Sequence, residues 1–166
     1  MYGPSTSNQR IESWWSILRK NRFDWWVNYF KDLRDRNVFD GSIPYHLESV
    51  RLFFLDLIQR ELNDVKVLWN NHHIRKVRIG ECPSGHPNVI FFAPELNNGR
   101  DVGKRLSRNY ASIARFFCKE PKLHGCSKEF TELSQILMRE HGMSLPSNVE
   151  ESEHLLVFLI NQIDSL

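Results

Sequence analysis

Between His46 and Asn71 the chain keeps one hydrophobic period without interruption: Leu47, Val50, Phe54, Leu57, Ile58, Leu62, Val65, Leu68 and Trp69 recur every three or four positions. Only an α-helix gathers that spacing onto one face. At 1.5 Å per residue the helix is a rod of roughly 35 to 40 Å, long enough to cross the whole of a small domain. The other side carries Arg51, Asp56, Arg60, Glu61, Asp64 and Lys66, mixed signs that read as a solvated face. His72, His73, Arg75, Lys76 and Arg78 follow, and cations suit the negative end of a helix dipole.

The same period recurs elsewhere. Ser5, Thr6, Ser7 and Asn8 offer side-chain acceptors for the free amides of a helix start. Ile11, Trp14 and Leu18 give that first helix its apolar stripe, with Glu12, Ser16 and Arg19 on a neighbouring face. A kink or short break is expected at Asn21 to Phe23, with Asp24 capping a second helix to about Arg36. Its Trp25, Trp26, Tyr29, Phe30 and Leu33 form an aromatic face, and Trp14 and Trp25 are assigned to packing. Asp40-Gly41-Ser42-Ile43-Pro44 reads as a turn. Cys82 to Pro87 is a turn-rich loop, and Val89 to Phe92, bounded by Asn88 and Pro94, reads as a strand or packed extended segment. Asn97 to Asp101 marks the expected domain boundary. Helices are expected at Val102 to Lys119, Ser127 to His141 and Val149 to Asp164, with Leu106, Tyr110, Ile113, Phe116 and Phe117 as the stripe of the first. The fold class is therefore mainly α, divided into residues 1–96 and a helical tail, residues 97–166.

Composition excludes several classes. With 41% hydrophobic and 25% charged residues in a chain of 166, there is enough apolar material for a core and no reason to expect disorder. A net charge of +2 is too small to argue nucleic-acid binding from the total, so local clusters must carry it. Cys82, Cys118 and Cys126 form no CxxC pair and no disulfide framework, which fits a reducing compartment. The spacing of Cys82 and His86 with His72, His73 or His124 resembles no zinc finger. There is no phosphate loop, no hydrolase elbow and no internal repeat. The apolar run Leu155 to Ile160 falls far short of the ~20 residues needed to cross a bilayer. An intracellular protein, nuclear or cytoplasmic and not secreted, is expected, with no membrane among its partners. The runs Arg75 to Arg78 and Arg100 to Arg108 offer basic address signals but read first as solvated loops.

The chemistry lies near the front. A carboxylate beside a buried stripe, followed by Arg19, Lys20 and Arg22, can hold a divalent cation while the basic residues meet a phosphate chain. The run Gly3-Pro4-Ser5-Thr6-Ser7-Asn8-Gln9-Arg10-Ile11-Glu12, then Trp14-Trp15 and a basic segment, resembles the last acidic motif of integrase core domains of the retroviral and transposase type. The nearest likeness is the integrase-core domain of uncharacterised animal proteins. Trp69-Asn70-Asn71-His72-His73-Ile74-Arg75 with Gly85-His86-Pro87 resembles the segment that closes such cores, and the likeness runs from about Gly3 to Glu95.

The resemblance implies an RNase H-like α/β core in which two aspartates on strands and one glutamate on a helix bind two Mg2+ ions for DNA strand transfer. Glu12 stands at the glutamate, as catalytic and metal-binding residue of an incomplete site. Arg10, Arg19, Lys20 and Arg22 stand where the family contacts DNA. Both aspartates belong upstream of Glu12, and the eleven preceding residues contain neither. The chain thus reads as the helical C-terminal portion of a core whose main strands are missing, truncated and without strand transfer of its own. Mg2+ would be held only with aspartates from elsewhere. DNA is the expected partner; the helical tail offers a surface for proteins or for oligomerisation. The alternative reading is a non-catalytic helical interaction module, in which Glu12 is an ordinary first-turn carboxylate.

Overall fold

The computed structural model describes residues 9–76, 83–118 and 123–166. Seven α-helices follow one another among these residues: α1 (Gln9–Leu18), α2 (Asp24–Asp35), α3 (Pro44–Asn71), α4 (Pro87–Phe92), α5 (Arg108–Phe117), α6 (Lys128–Glu140) and α7 (Val149–Asp164). A π-helical turn, Arg19–Phe23, joins α1 to α2, and 3-10 turns lie at Pro94–Asn97 and Leu123–Gly125. Extended pairing among the described residues is limited to one antiparallel bridge between Ile74 and Gly85. The chain is mainly helical, as the periodicity predicts. Packing divides it into two units, one of Met1–Glu61 with Lys122–Leu166 and one of Leu62–Pro121.

The first unit holds the core. Trp26 and Leu33 of α2, Leu52, Phe53, Phe54 and Leu57 of α3, Phe130, Leu137 and Met138 of α6, and Leu155, Leu156, Leu159 and Ile160 of α7 are buried together with Cys126. Phe30 stacks on Trp26 at 5.6 Å and meets Phe54 edge-on at 5.2 Å, the offset and T-shaped arrangements that ring quadrupoles favour. The buried arc of α3 is wider than a single stripe because neighbours cover it on two sides. Phe54 faces the rings of α2, while the backbone carbonyl of Phe53 accepts a hydrogen bond from Ser152 Oγ of α7 at 3.0 Å.

Helix ends follow local chemistry. Asp40 Oδ1 accepts from the backbone N–H and the hydroxyl of Ser42, each at 2.8 Å, and the Asp40 amide donates to His46 Nδ1 at 2.9 Å. Pro44 then opens α3 at the position where no amide is needed. Ser127 caps α6 by accepting from the Phe130 amide, and its own amide and hydroxyl donate to the carboxylate of Glu48. Asn148 caps α7 through the Glu151 amide, and Glu151 reaches back to Ser147, a variant of the reciprocal capping box.

Several expectations are corrected. The kink or short break expected at Asn21 to Phe23 is a π-helical turn that does not stop the helix: the Asp24 amide donates to the Arg19 carbonyl, five residues back, so the helix widens by one residue. Asp24 caps nothing; its carboxylate accepts from Arg19 Nε at 3.2 Å. Trp25 is half exposed, stacked on Tyr29 at 5.0 Å and outside the core. Glu61 is drawn from the solvated face of α3 to accept from Trp26 Nε1 at 2.9 Å. Helix α5 begins at Arg108 and not at Val102, after a non-helical lead-in in which Asp101 Oδ1 accepts from the Gly103 amide. The expected helix start between Ser5 and Asn8 lies outside the described residues.

In the second unit the end of α3 is tied to the loop beyond it. Ile74 and Gly85 exchange backbone hydrogen bonds of 2.8 and 3.0 Å, His86 Nδ1 sits 2.7 Å from the Asn71 carbonyl oxygen, and Asn88 donates to the side chain of Asn71. Val89 to Phe92, expected as extended, belongs instead to α4, with Pro87 as its first residue. A short apolar run has no period to distinguish the two states. Phe91 and Phe92 stand nearly four-fifths exposed, and among the described residues of this unit no hydrophobic side chain is buried.

Candidate nucleic-acid interface

Helix α1 turns Leu18 inward, with Trp14 half buried, and leaves Glu12, Ser16, Arg19 and Lys20 exposed. The carboxylate of Glu12 and the guanidinium of Arg19 share a helix face, as their spacing requires. They are not paired with each other: Arg19 holds Asp24, both side chains largely in solvent, where an ion pair contributes little. The side chains of Arg10 and Arg22 lie outside the described ones. The structure therefore places one exposed carboxylate in the first turn of α1 and two cations, Arg19 and Lys20, two turns on at the start of the π-helical turn. Pi-helical insertions rotate the residues that follow them and recur at functional sites.

A two-metal centre needs several carboxylates converging on ions ~3.5 to 4 Å apart. Among the described residues no group of three or more His, Cys, Asp or Glu converges in that way. The next carboxylate after Glu12 is Asp24, held by Arg19. The described residues alone do not fit a pair of magnesium ions.

The second landmark is brought together. Trp69 and His72 are in ring contact at 4.5 Å, His73 and His86 at 5.4 Å, and the bridge between Ile74 and Gly85 closes the segment. Cys82 lies outside the described residues.

Sequence reasoning missed a polar group at the edge of the first unit's core. Glu153 accepts from the Tyr29 hydroxyl at 2.7 Å and from Arg36 at 2.9 Å, and Arg36 also holds Asp32 at 2.8 Å. Tyr29 and Glu153 lie far apart along the chain, so no local spacing could have paired them. A cleft of about 510 Å3 opens between the loop at residues 142–146 and α7, lined by Met143, Leu145, Pro146, His154 and Phe158 among others. None of the sequence-predicted site residues lines it.

A helical protein with an exposed carboxylate and basic side chains on its first helix is the class that fold and site define. The family model described as integrase core domain matches residues 1–99, more than half of the chain, and the chain belongs to that family. Neither the curated proteins nor the solved structures contain a match to it. No helix among the described residues is long and apolar enough to cross a membrane.

Proposed function

We propose that this chain is the helical, C-terminal part of an integrase core, nearest in kind to the transposon-derived integrase-core domains of uncharacterised animal proteins, and that it binds nucleic acid without joining DNA ends by itself. The observation that carries the reading is the family match over residues 1–99 together with an exposed Glu12 that, among the described residues, belongs to no group of three or more His, Cys, Asp or Glu. Arg10, Arg19, Lys20 and Arg22 supply the phosphate contacts, and Mg2+ enters only with carboxylates from elsewhere. A nuclear or cytoplasmic location goes with this role. Each phosphate neutralised releases counterions, so log K should fall linearly with log salt.

A titration of labelled DNA across salt concentrations tests this. Binding at low salt that weakens steeply is expected, and Arg19→Gln with Lys20→Gln should make the slope shallower by about 1.5. A flat response, or no binding at low salt, overturns it. Glu12→Gln should leave the weak Mn2+ or Mg2+ affinity of the chain unchanged.

One observation favours a second reading, the interaction module: Tyr110, Ile113 and Phe117 form an uncovered row on α5, the spacing of helices that dock in a protein groove.

A further inference from the structure

The second unit differs in charge from the chain as a whole. Residues 62–121 carry ten Lys and Arg against five Asp and Glu, although the whole chain is only +2. Five of those cations, Arg100, Lys104, Arg105, Arg108 and Arg115, lie within sixteen consecutive positions that contain one carboxylate, Asp101. All five are exposed. Asp101 is turned to the Gly103 amide at 2.8 Å, and no ion pair engages any of the five among the described residues. Arg19 and Arg36 of the first unit are engaged instead: Arg19 holds Asp24, and Arg36 holds both Asp32 and Glu153. An arginine without a carboxylate has its planar donor fork free for an external anion.

Helix α5 sorts its residues by face. Arg108, Ser112 and Arg115 follow one another at i, i+4 and i+7, while Tyr110, Ile113 and Phe117 run along the opposite side. The cationic row is about 10 Å long, which spans three or four phosphates of a strand rising about 3.4 Å per nucleotide. Lys104 and Arg105 extend it into the lead-in. A lipid surface would take the apolar row and leave Arg108 and Arg115 about one helix diameter, ~10 Å, from the headgroups. That distance exceeds the Debye length of ~8 Å at physiological salt. A polyphosphate chain needs only the cationic row.

We propose that residues 100–115 form a second phosphate-binding track, outside the family match, that holds a nucleic-acid strand through Lys104, Arg105 and the Arg108–Ser112–Arg115 row. It rests on the nucleic-acid reading above for the kind of polymer and on separate residues for the contact. The cations neutralise successive phosphates, and the Ser112 hydroxyl donates to the phosphate between the two arginines.

The test uses the full chain and a labelled single-stranded oligonucleotide, its duplex, and vesicles containing phosphatidylserine. Substituting Lys104→Gln, Arg105→Gln, Arg108→Gln and Arg115→Gln together should weaken oligonucleotide binding at least about tenfold and make the salt slope shallower by about 3. Far-UV circular dichroism should not change, because the four side chains are exposed. Tyr110→Ser with Phe117→Ser should leave the slope as it is. An unchanged affinity and slope in the fourfold variant overturns the track; if Arg19→Gln with Lys20→Gln then abolishes binding, the first site stands alone. No oligonucleotide binding at low salt defeats both. Preferential vesicle binding that the Tyr110 and Phe117 substitutions abolish assigns α5 to a membrane surface and also overturns the track.

Discussion

Glu153 shows how one residue joins distant parts of the first unit. Burial opposes its ionisation, but the hydrogen bonds from Tyr29 and Arg36 and the charge of Arg36 outweigh that, so its carboxyl sits below the usual glutamate range. Burial and the same hydrogen bond push the Tyr29 hydroxyl well above the tyrosine range. A carboxylate with a depressed folded value adds stability that is present above the ordinary value of about 4.3 and lost as pH falls through the folded value. Tyr29 has the opposite sense, its contribution falling as pH rises past about 10. Urea midpoints measured from pH 7 down to pH 3 should therefore decline on the acid side, and Glu153→Gln should flatten that decline and cost about 1 kcal/mol at neutral pH. An acid limb unchanged in the variant would place the titrating group elsewhere. Nothing local in the sequence announced this group. Glu12, by contrast, was readable as an exposed first-helix carboxylate from the stripe of Trp14 and Leu18 beside it, and the structure leaves it in solvent.

Elements with strong end signals were the readable ones. Helix α7 begins at Val149 and ends at Asp164 as expected, because Asn148 accepts from the Glu151 amide and Glu151 returns to Ser147. The hydrogen bonds from the Ser147 amide and hydroxyl lower the Glu151 carboxyl below the usual range, outweighing the burial that opposes them. Asn148→Ala should cost about 1 kcal/mol, and Asn148→Asp much less. Thermal or urea unfolding of the two variants checks this; equal losses would show that the cap contributes nothing. Elements without such signals were misread. Val89 to Phe92 combines β-branched and aromatic residues over too short a run for a period to show, and Pro87 at the helix start decided the outcome. The stripe from Leu106 extended too far back, because the turn at Asp101 and Gly103 competes with the helix for the backbone. The irregularity expected at Asn21 to Phe23 is the π-helical turn, where the chain absorbs one extra residue and continues.

The two units differ in what holds them. Helices α2, α3, α6 and α7 share buried Trp26, Phe53, Phe54, Leu156 and Leu159 in the first. In the second, α5 spans ten residues and buries none of them. A helix shorter than about 12 to 15 residues is marginal in water unless packing supports it, and local opening is easiest where buried contacts are few. Amide exchange should follow this division. Backbone amides of α6, α7 and the half of α3 that carries Phe53 and Phe54 should exchange only through global unfolding, with the same denaturant dependence as the urea transition. Amides of α5 should exchange within about tenfold of their unprotected rate, because their opening free energy lies near zero. Phosphate contacts along Arg108, Ser112 and Arg115 favour the helical form, so adding the oligonucleotide should slow exchange across residues 108–117 and leave α7 unaffected. Mass spectrometry of peptic fragments, with and without oligonucleotide, measures both effects. Strong protection of α5 in the free chain would mean that its apolar row is covered in solution. A slowing in α7 with none in α5 would place the strand on the first unit.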